Sequence, residues 1–125
     1  MRLRLRWVAA GTVLLAACSI VDTTTAPPST RSIAVYNYFF YPAHDSIFAL
    51  DGDTIGVEFV WTDGSDNHQV FWNDGNPTQL RGSELQNVGT FDVTLVPGVY
   101  DYYCSQHGAS LNMIGEIVVR PHPTE

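Results

Sequence analysis

The chain predicts a single all-β domain, and three observations point to a β-sandwich. Short runs rich in β-branched and aromatic residues recur along the sequence, and clusters of Gly, Pro, Asn and Asp separate them. No segment shows a convincing helical period of apolar residues. The 125 residues contain no internal repeat and leave room for one domain.

The N-terminus has the pattern of an export signal. Arg2, Arg4 and Arg6 form a positive region ahead of the apolar stretch 8–17, which small residues close. This stretch is shorter than the run of about 20 apolar residues that a membrane-spanning helix needs. We therefore expect residues 1–17 to be a signal peptide.

The end of this signal, Leu-Ala-Ala-Cys at residues 15–18, resembles the lipobox of bacterial lipoproteins. The resemblance implies that Cys18 is acylated and becomes the mature N-terminus. The protein would then be anchored in the bacterial cell envelope, on the periplasmic or outer face of a membrane. An ordinary secretory signal with a cysteine after its cleavage site is the alternative. Residues 18–32 are rich in Thr, Ser and Pro and are expected to form a tether.

Three strands are predicted between residues 33 and 61. The run 33–40 is β-branched and aromatic, and it ends where a proline follows a tyrosine. The short apolar run 47–50 is closed by Asp51-Gly52-Asp53, a sequence typical of a turn. Residues 54–61 alternate roughly between apolar and polar side chains until a polar cluster interrupts them.

The second half of the chain predicts four more strands, at 68–72, 89–96, 99–104 and 114–120. The second of these alternates most cleanly, with apolar side chains on one face and threonine or aspartate on the other. Segment 78–88 is the least regular and is compatible with a short helix or a long loop. Prolines on both sides of His122 end the last strand, so we expect the domain to span 33–120 and a tail to follow at 121–125.

Strand parity places two chemically important side chains on interior faces. In the strand 99–104, Tyr100, Tyr102 and Cys104 share one face, and Asp101 on the other face prefers solvent. By the same rule His68 shares a face with the apolar residues at positions 70 and 72. We therefore expect Cys104 and His68 to enter one end of the sandwich from different strands.

Four side chains together offer the ligand types of a mononuclear blue-copper centre. Cys104 provides a thiolate, His68 and His107 provide imidazoles, and Met113 provides a thioether. If Cys18 is acylated, Cys104 has no disulfide partner, and Met113 is the one methionine left after the signal is removed. From the residues alone, a buried inert cysteine, a turn histidine and a core methionine stay open as alternatives.

Two stretches resemble motifs of the cupredoxins, the blue-copper protein family. Residues 97–107, PGVYDYYCSQH, are similar to the family's P-G-x-Y-x-[FY]-x-C-x-x-H, and 113–119, MIGEIVV, are similar to its M-x-G-x-I-x-V ending. The resemblance extends over about residues 33–119. It implies a Greek-key β-sandwich or barrel with one type 1 copper, held by His68, Cys104 and His107 with Met113 as the axial ligand.

One departure from the family pattern lies between the last two ligands. Five residues, 108–112, separate His107 from Met113, where plastocyanin-like members have four. We expect the extra residue to bulge this loop, which leaves the copper–thioether distance open.

The resemblance implies an electron carrier and not an enzyme. Such a protein exchanges electrons with a redox partner protein, for example a cytochrome, and a monomer suffices for a lipid-anchored carrier. The chain has no His-x-His pair of the kind that copper-enzyme catalysis would require. A periplasmic copper storage or chaperone protein is the alternative, and a structural β-sandwich with a vestigial site is a third hypothesis.

The charge balance is strongly acidic. The chain has 6 Lys+Arg against 13 Asp+Glu, and removal of the three arginines of the signal changes the balance to 3 − 13 = −10. Such a surface disfavours nucleic acid and favours a cationic partner at low salt.

Overall fold

The computed structural model describes residues 30–77 and 79–124. The predicted signal peptide, Cys18 and residues 19–29 of the predicted tether lie outside this part of the chain. Within it, the elements in chain order are β1 Thr30–Tyr36, β2 Phe39–Tyr41, β3 His44–Phe48, β4 Ile55–Trp61, β5 Phe71–Trp72, β6 Gly89–Leu95, β7 Gly98–Tyr103, α1 Gly108–Leu111 and β8 Ile114–Arg120. No helix among the residues described is long and apolar enough to cross a membrane.

The strands form two four-stranded sheets. The first has the order β2-β1-β4-β6, and the second has the order β3-β8-β7-β5. Each sheet contains one parallel pair, β1 with β4 and β3 with β8, and its other pairs are antiparallel. This arrangement confirms the prediction of an all-β sandwich.

The core lies between the two sheets and follows from the period-two alternation of the strands. In β4 every second residue is buried, from Ile55 to Trp61. Phe59 of the first sheet contacts Tyr102 of the second edge to face, with the ring centroids 5.2 Å apart. Aromatic pairs of this geometry contribute about 0.5–1.5 kcal/mol beyond the area that they bury. Bulky aromatic residues therefore join the sheets at the centre of the molecule.

The predicted strand 33–40 is two strands in the structure, and it begins earlier than expected. Thr30, Arg31 and Ser32 pair with β4, so β1 starts three residues before the predicted beginning of the domain. The chain then reverses after Tyr36 and returns as the antiparallel strand β2. Tyr38 makes this reversal in the left-handed region, with a φ of 70°. No glycine or proline marks the turn, which is why the sequence pattern did not reveal it.

Two further segments differ from the predictions. Of the predicted strand 68–72, only Phe71 and Trp72 form a regular strand, β5. His68 pairs instead through an isolated bridge with Gln86. In the irregular region after β5, residues 79–88 contain no helix and form a loop. The short helix α1 lies elsewhere, at Gly108–Leu111, where no helix was predicted.

Candidate metal centre

Cys104 follows directly on β7 and lies inside the sandwich. Its side chain is fully buried together with Tyr100 and Tyr102, which confirms the prediction from strand parity. The Cys104 N–H donates to the Met113 carbonyl at 3.0 Å, so the chain before β8 lies beside it. The Cys104 carbonyl accepts the Gly108 N–H at 2.7 Å, and this bond begins the turn that holds the next histidine.

The segment between His107 and Met113 forms one helical turn, which replaces the bulge expected from its length. His107 is the N-cap of α1, and its carbonyl accepts the N–H groups of Leu111 at 2.9 Å and Met113 at 3.3 Å. Asn112 ends the turn in the left-handed region, with a φ of 55°. Asparagine adopts this region more readily than most residues. The helical turn accommodates the extra residue, and Met113 lies immediately before β8.

His68 reaches the same place from the loop before β5. Two backbone hydrogen bonds with Gln86, of 2.8 and 3.0 Å, hold its main chain. Its side chain is fully buried on the same face as Val70 and Trp72, as the alternation predicts. The structure therefore brings His68 to Cys104 from a different loop.

The ligand atoms of Cys104, His107 and His68 cluster tightly. The two Nδ1 atoms are 3.1 Å apart, and Cys104 Sγ lies 3.5 Å from His107 Nδ1 and 3.9 Å from His68 Nδ1. Atoms bound to one ion at about 2.0–2.3 Å are separated from each other by roughly 3–4 Å, depending on the bond angle. These three side chains therefore fit a single metal ion. Thiolate with imidazole is a donor set that suits copper and zinc.

Met113 is fully buried next to this cluster. Its N–H and its carbonyl make backbone bonds to His107 and Cys104 respectively, so its main chain adjoins both of these residues. This position is compatible with a fourth ligand. Axial coordination through the Met113 sulfur stays a prediction.

A hydrogen bond from the β1–β2 turn orients the His68 ring. His68 Nε2 lies 3.0 Å from Asn37 Oδ1, and because that oxygen can only accept, Nε2 carries the proton. Nδ1 is then unprotonated and faces Cys104 and His107. Burial, and secondarily the nearby His107, lowers the pKa of His68 from its usual value. Both effects favour the neutral imidazole that binds a metal.

Tyr38, the other residue of the β1–β2 turn, lies against both imidazoles. Its ring meets His107 and His68 edge to face, with centroid distances of 5.1 and 5.8 Å. Its hydroxyl donates to the Asp66 carboxylate, and this bond raises the pKa of the Tyr38 phenol. Neither Asn37 nor Tyr38 was predicted at the site, because neither belongs to a local motif that contains a ligand.

A second set of hydrogen bonds joins the loops that hold His68 and Cys104. Ser105 Oγ donates to Gln69 Oε1 at 2.6 Å, and Gln69 Nε2 donates to the Ser83 carbonyl at 2.8 Å. Gln69 and Ser105 each follow a candidate ligand directly in sequence. These bonds restrict the relative movement of the two ligand loops.

The comparisons with known proteins agree on the fold. No family model and no curated protein matched the chain. A pseudoazurin from Sinorhizobium meliloti is 27% identical, with 74% of this chain and 75% of that one covered and a TM-score of 0.56. Auracyanin from Roseiflexus castenholzii is 19% identical, with 74% and 97% covered and a TM-score of 0.56. An amicyanin variant in its reduced Cu(I) form is 17% identical, with 77% and 87% covered and a TM-score of 0.60.

These similar structures are cupredoxins, and the chain therefore has the cupredoxin fold. The resemblance inferred from the two sequence motifs is confirmed at the level of the fold. Cys104 and His107 belong to the first of those motifs, and His68, which the resemblance also implied as a ligand, lies beside them.

Proposed function

We propose that this protein is an electron carrier that holds one copper ion through His68, Cys104, His107 and an axial Met113. The observation that carries the proposal is the cluster of three ligand atoms, all within 4.8 Å of one another. The cupredoxin fold supports it, as does the Cu(I) form of an amicyanin variant with a similar structure.

Bound copper would supply one-electron chemistry by alternating between Cu(II) and Cu(I). The contribution of the protein is to keep the donor atoms in place in both states. Asn37 holds the His68 ring, the helical turn α1 holds His107, and backbone bonds to Met113 and Gly108 hold Cys104. A site that rearranges little between oxidation states exchanges electrons quickly.

His107 is the proposed exit for electrons. His68, Cys104 and Met113 are fully buried, whereas His107 is partly exposed. In the helical turn that follows it, Ala109 is exposed and Leu111 is 50% exposed, so apolar surface is available near the histidine. A redox partner protein, for example a cytochrome, would dock there.

The proposed location is the bacterial cell envelope, with the domain attached through acylated Cys18. Support for this part comes from the sequence, from the arginines ahead of the apolar stretch and from the lipobox-like residues 15–18. A carrier of this kind would act as a monomer on the outer side of a membrane.

The test is a visible spectrum of the chain from Ser19 onward after loading with Cu(II). We expect an intense thiolate-to-copper absorption band that is lost in Cys104→Ser and retained in the control His44→Gln, since His44 is an exposed histidine outside the cluster. A colourless protein that prefers zinc would overturn the proposal. Rapid release of copper to a chelator by the unaltered protein would instead favour copper storage or delivery.

A further inference from the structure

The turn between β1 and β2 contacts both histidines of the candidate site. We infer that Tyr38, held by Asp66, is a positioning residue that fixes both imidazoles and limits access to the metal. We call the Tyr38–Asp66 pair the latch. The inference rests on the proposed function, because it concerns how this chain retains copper at that site.

The position of the Tyr38 ring supports the inference. It contacts both His68 and His107 edge to face, with interplanar angles of 87° and 83°. Tyr38 itself is 39% exposed, whereas His68 is fully buried. The ring therefore packs against both imidazoles and also reaches solvent, so we expect movement of either imidazole toward this face to require movement of the ring.

A hydrogen bond to Asp66 holds the Tyr38 ring in place. Asp66 accepts the Tyr38 hydroxyl, and it precedes His68 by two residues in the same loop. A hydroxyl–carboxylate bond is charge-assisted and stronger than a bond between neutral groups. Since Asn37 also binds Nε2 of the His68 ring, the turn contacts this histidine at two points.

The backbone of Tyr38 has an unfavourable conformation. Its φ of 70° places a bulky residue in the left-handed region, which is unfavourable for such side chains. Conformations of this kind persist only where the surrounding contacts enforce them. A glycine would make the same turn without this strain. The tyrosine at this position is therefore explained by the contacts of its side chain with the two histidines and Asp66.

The latch should affect how firmly the protein retains copper. With the latch intact, the two Nδ1 atoms are held facing each other and Cys104. Without it, the ring is free to swing into solvent, and His107, the partly exposed ligand, is free to turn away from the ion. We therefore expect loss of the latch to speed copper release and to change the copper–thiolate spectrum.

The experiment compares variants in matched pairs. Asp66→Ala removes the acceptor of the latch, and Asp63→Ala removes an equal charge from the same loop. Tyr38→Phe removes the hydroxyl and Tyr38→Leu also removes the ring, whereas Tyr41→Leu alters a 66% exposed tyrosine of the same hairpin. Copper release to excess chelator, the visible spectrum and the unfolding midpoint are measured for each protein.

We expect Asp66→Ala and Tyr38→Phe to release copper about tenfold faster, the factor that corresponds to a hydrogen bond of about 1.4 kcal/mol. Tyr38→Leu should release it faster still and shift the copper–thiolate band. Asp63→Ala and Tyr41→Leu should stay within about twofold of the unaltered protein, because neither substitution removes a partner of the hydrogen bond between Tyr38 and Asp66. Equal acceleration in the controls, or unchanged release in Asp66→Ala and Tyr38→Phe, would overturn the inference.

A measurement without metal separates this inference from the proposed function. Nuclear Overhauser contacts between the Tyr38 ring and both imidazoles should be present in the metal-free protein and weaken in Asp66→Ala but not in Asp63→Ala. If the protein binds no copper, the proposed function fails, and this measurement alone decides whether the latch exists. If copper binds but these contacts are absent, only the latch is wrong.

Discussion

Two tyrosines on the same face of β7 differ in one hydrogen bond. Both side chains are fully buried, and the Tyr100 hydroxyl donates to the Val96 carbonyl at 2.8 Å. The Tyr102 hydroxyl has no hydrogen-bond partner among the residues that the structure describes. Burial, with a smaller effect of Asp45, raises the pKa of the Tyr102 phenol well above its usual range. Tyr102 therefore stays neutral and contributes to stability through the packing of its ring in the core.

The difference between Tyr100 and Tyr102 predicts different effects of their substitution on stability. Tyr100→Phe should lower the free energy of unfolding by about 1 kcal/mol, because it leaves the Val96 carbonyl without its buried donor. Tyr102→Phe should leave the free energy unchanged or raise it, since it removes a buried polar group that makes no bond. Urea unfolding of the metal-free protein measures both values. An equal loss in the two variants would contradict the assignment of an unpartnered Tyr102 hydroxyl.

At the scale of elements, the junction of β7 and β8 supports the candidate site. Tyr102 of β7 pairs with Gly115 of β8, two residues before Cys104 and two residues after Met113. A Cβ atom on Gly115 would lie 2.2 Å from Cζ of Tyr102. The glycine is therefore required by the close approach of the tyrosine ring. Close packing of these two strands determines how near Met113 lies to Cys104.

Gly115→Ala should consequently destabilise the protein and disturb the metal centre. Overpacking of this kind costs about 1–3 kcal/mol, and the displaced Tyr102 ring would push against the core aromatics. Gly75→Ala is the matched control, because a Cβ there would meet nothing within 4 Å. Denaturant unfolding and the copper–thiolate band of each variant provide the measurements. Equal stabilities of the two variants would show that β7 and β8 can separate without cost.

At the scale of the whole molecule, the charge distribution favours cationic partners. The formal net charge is −7, and some of the acidic residues lie close to the candidate site. Asp66 and Asp63 are near enough for their negative charges to act on both His68 and Tyr38. Negative charge therefore flanks the surface through which electrons are proposed to leave.

Association with a cationic redox partner should slow as ionic strength rises. Electrostatic steering raises association rates by about 10–10³-fold, and salt screens it over about 10 Å at 0.1 M. Stopped-flow electron transfer to a basic cytochrome across a salt series measures the effect, and an uncharged redox reagent is the control. A rate with the cytochrome that is indifferent to salt would exclude steering by these carboxylates.

Much of the fold was predictable because strand patterns are local. The alternation in β4, β6 and β7 is visible within windows of seven residues or fewer, and in β7 it placed Cys104 on an interior face correctly. The alternation over residues 68–72 likewise predicted that the His68 side chain is buried. The turn at Asn37 and Tyr38 was missed, because neither residue is a glycine or proline that would mark it. The helical turn α1 was also missed, since four residues are too few to show a helical period.

The sequence by itself determined the all-β class, the ligand types and the short segment that holds Cys104 and His107 together. These features depend on side-chain chemistry and on spacings of a few residues. Only the tertiary structure decided that His68 meets them, that Asn37 selects its tautomer and that Tyr38 contacts both rings. Asn37 and His68 are 31 residues apart. Contacts over such separations depend on how the strands pair and the sheets pack, and a local pattern carries no record of that packing.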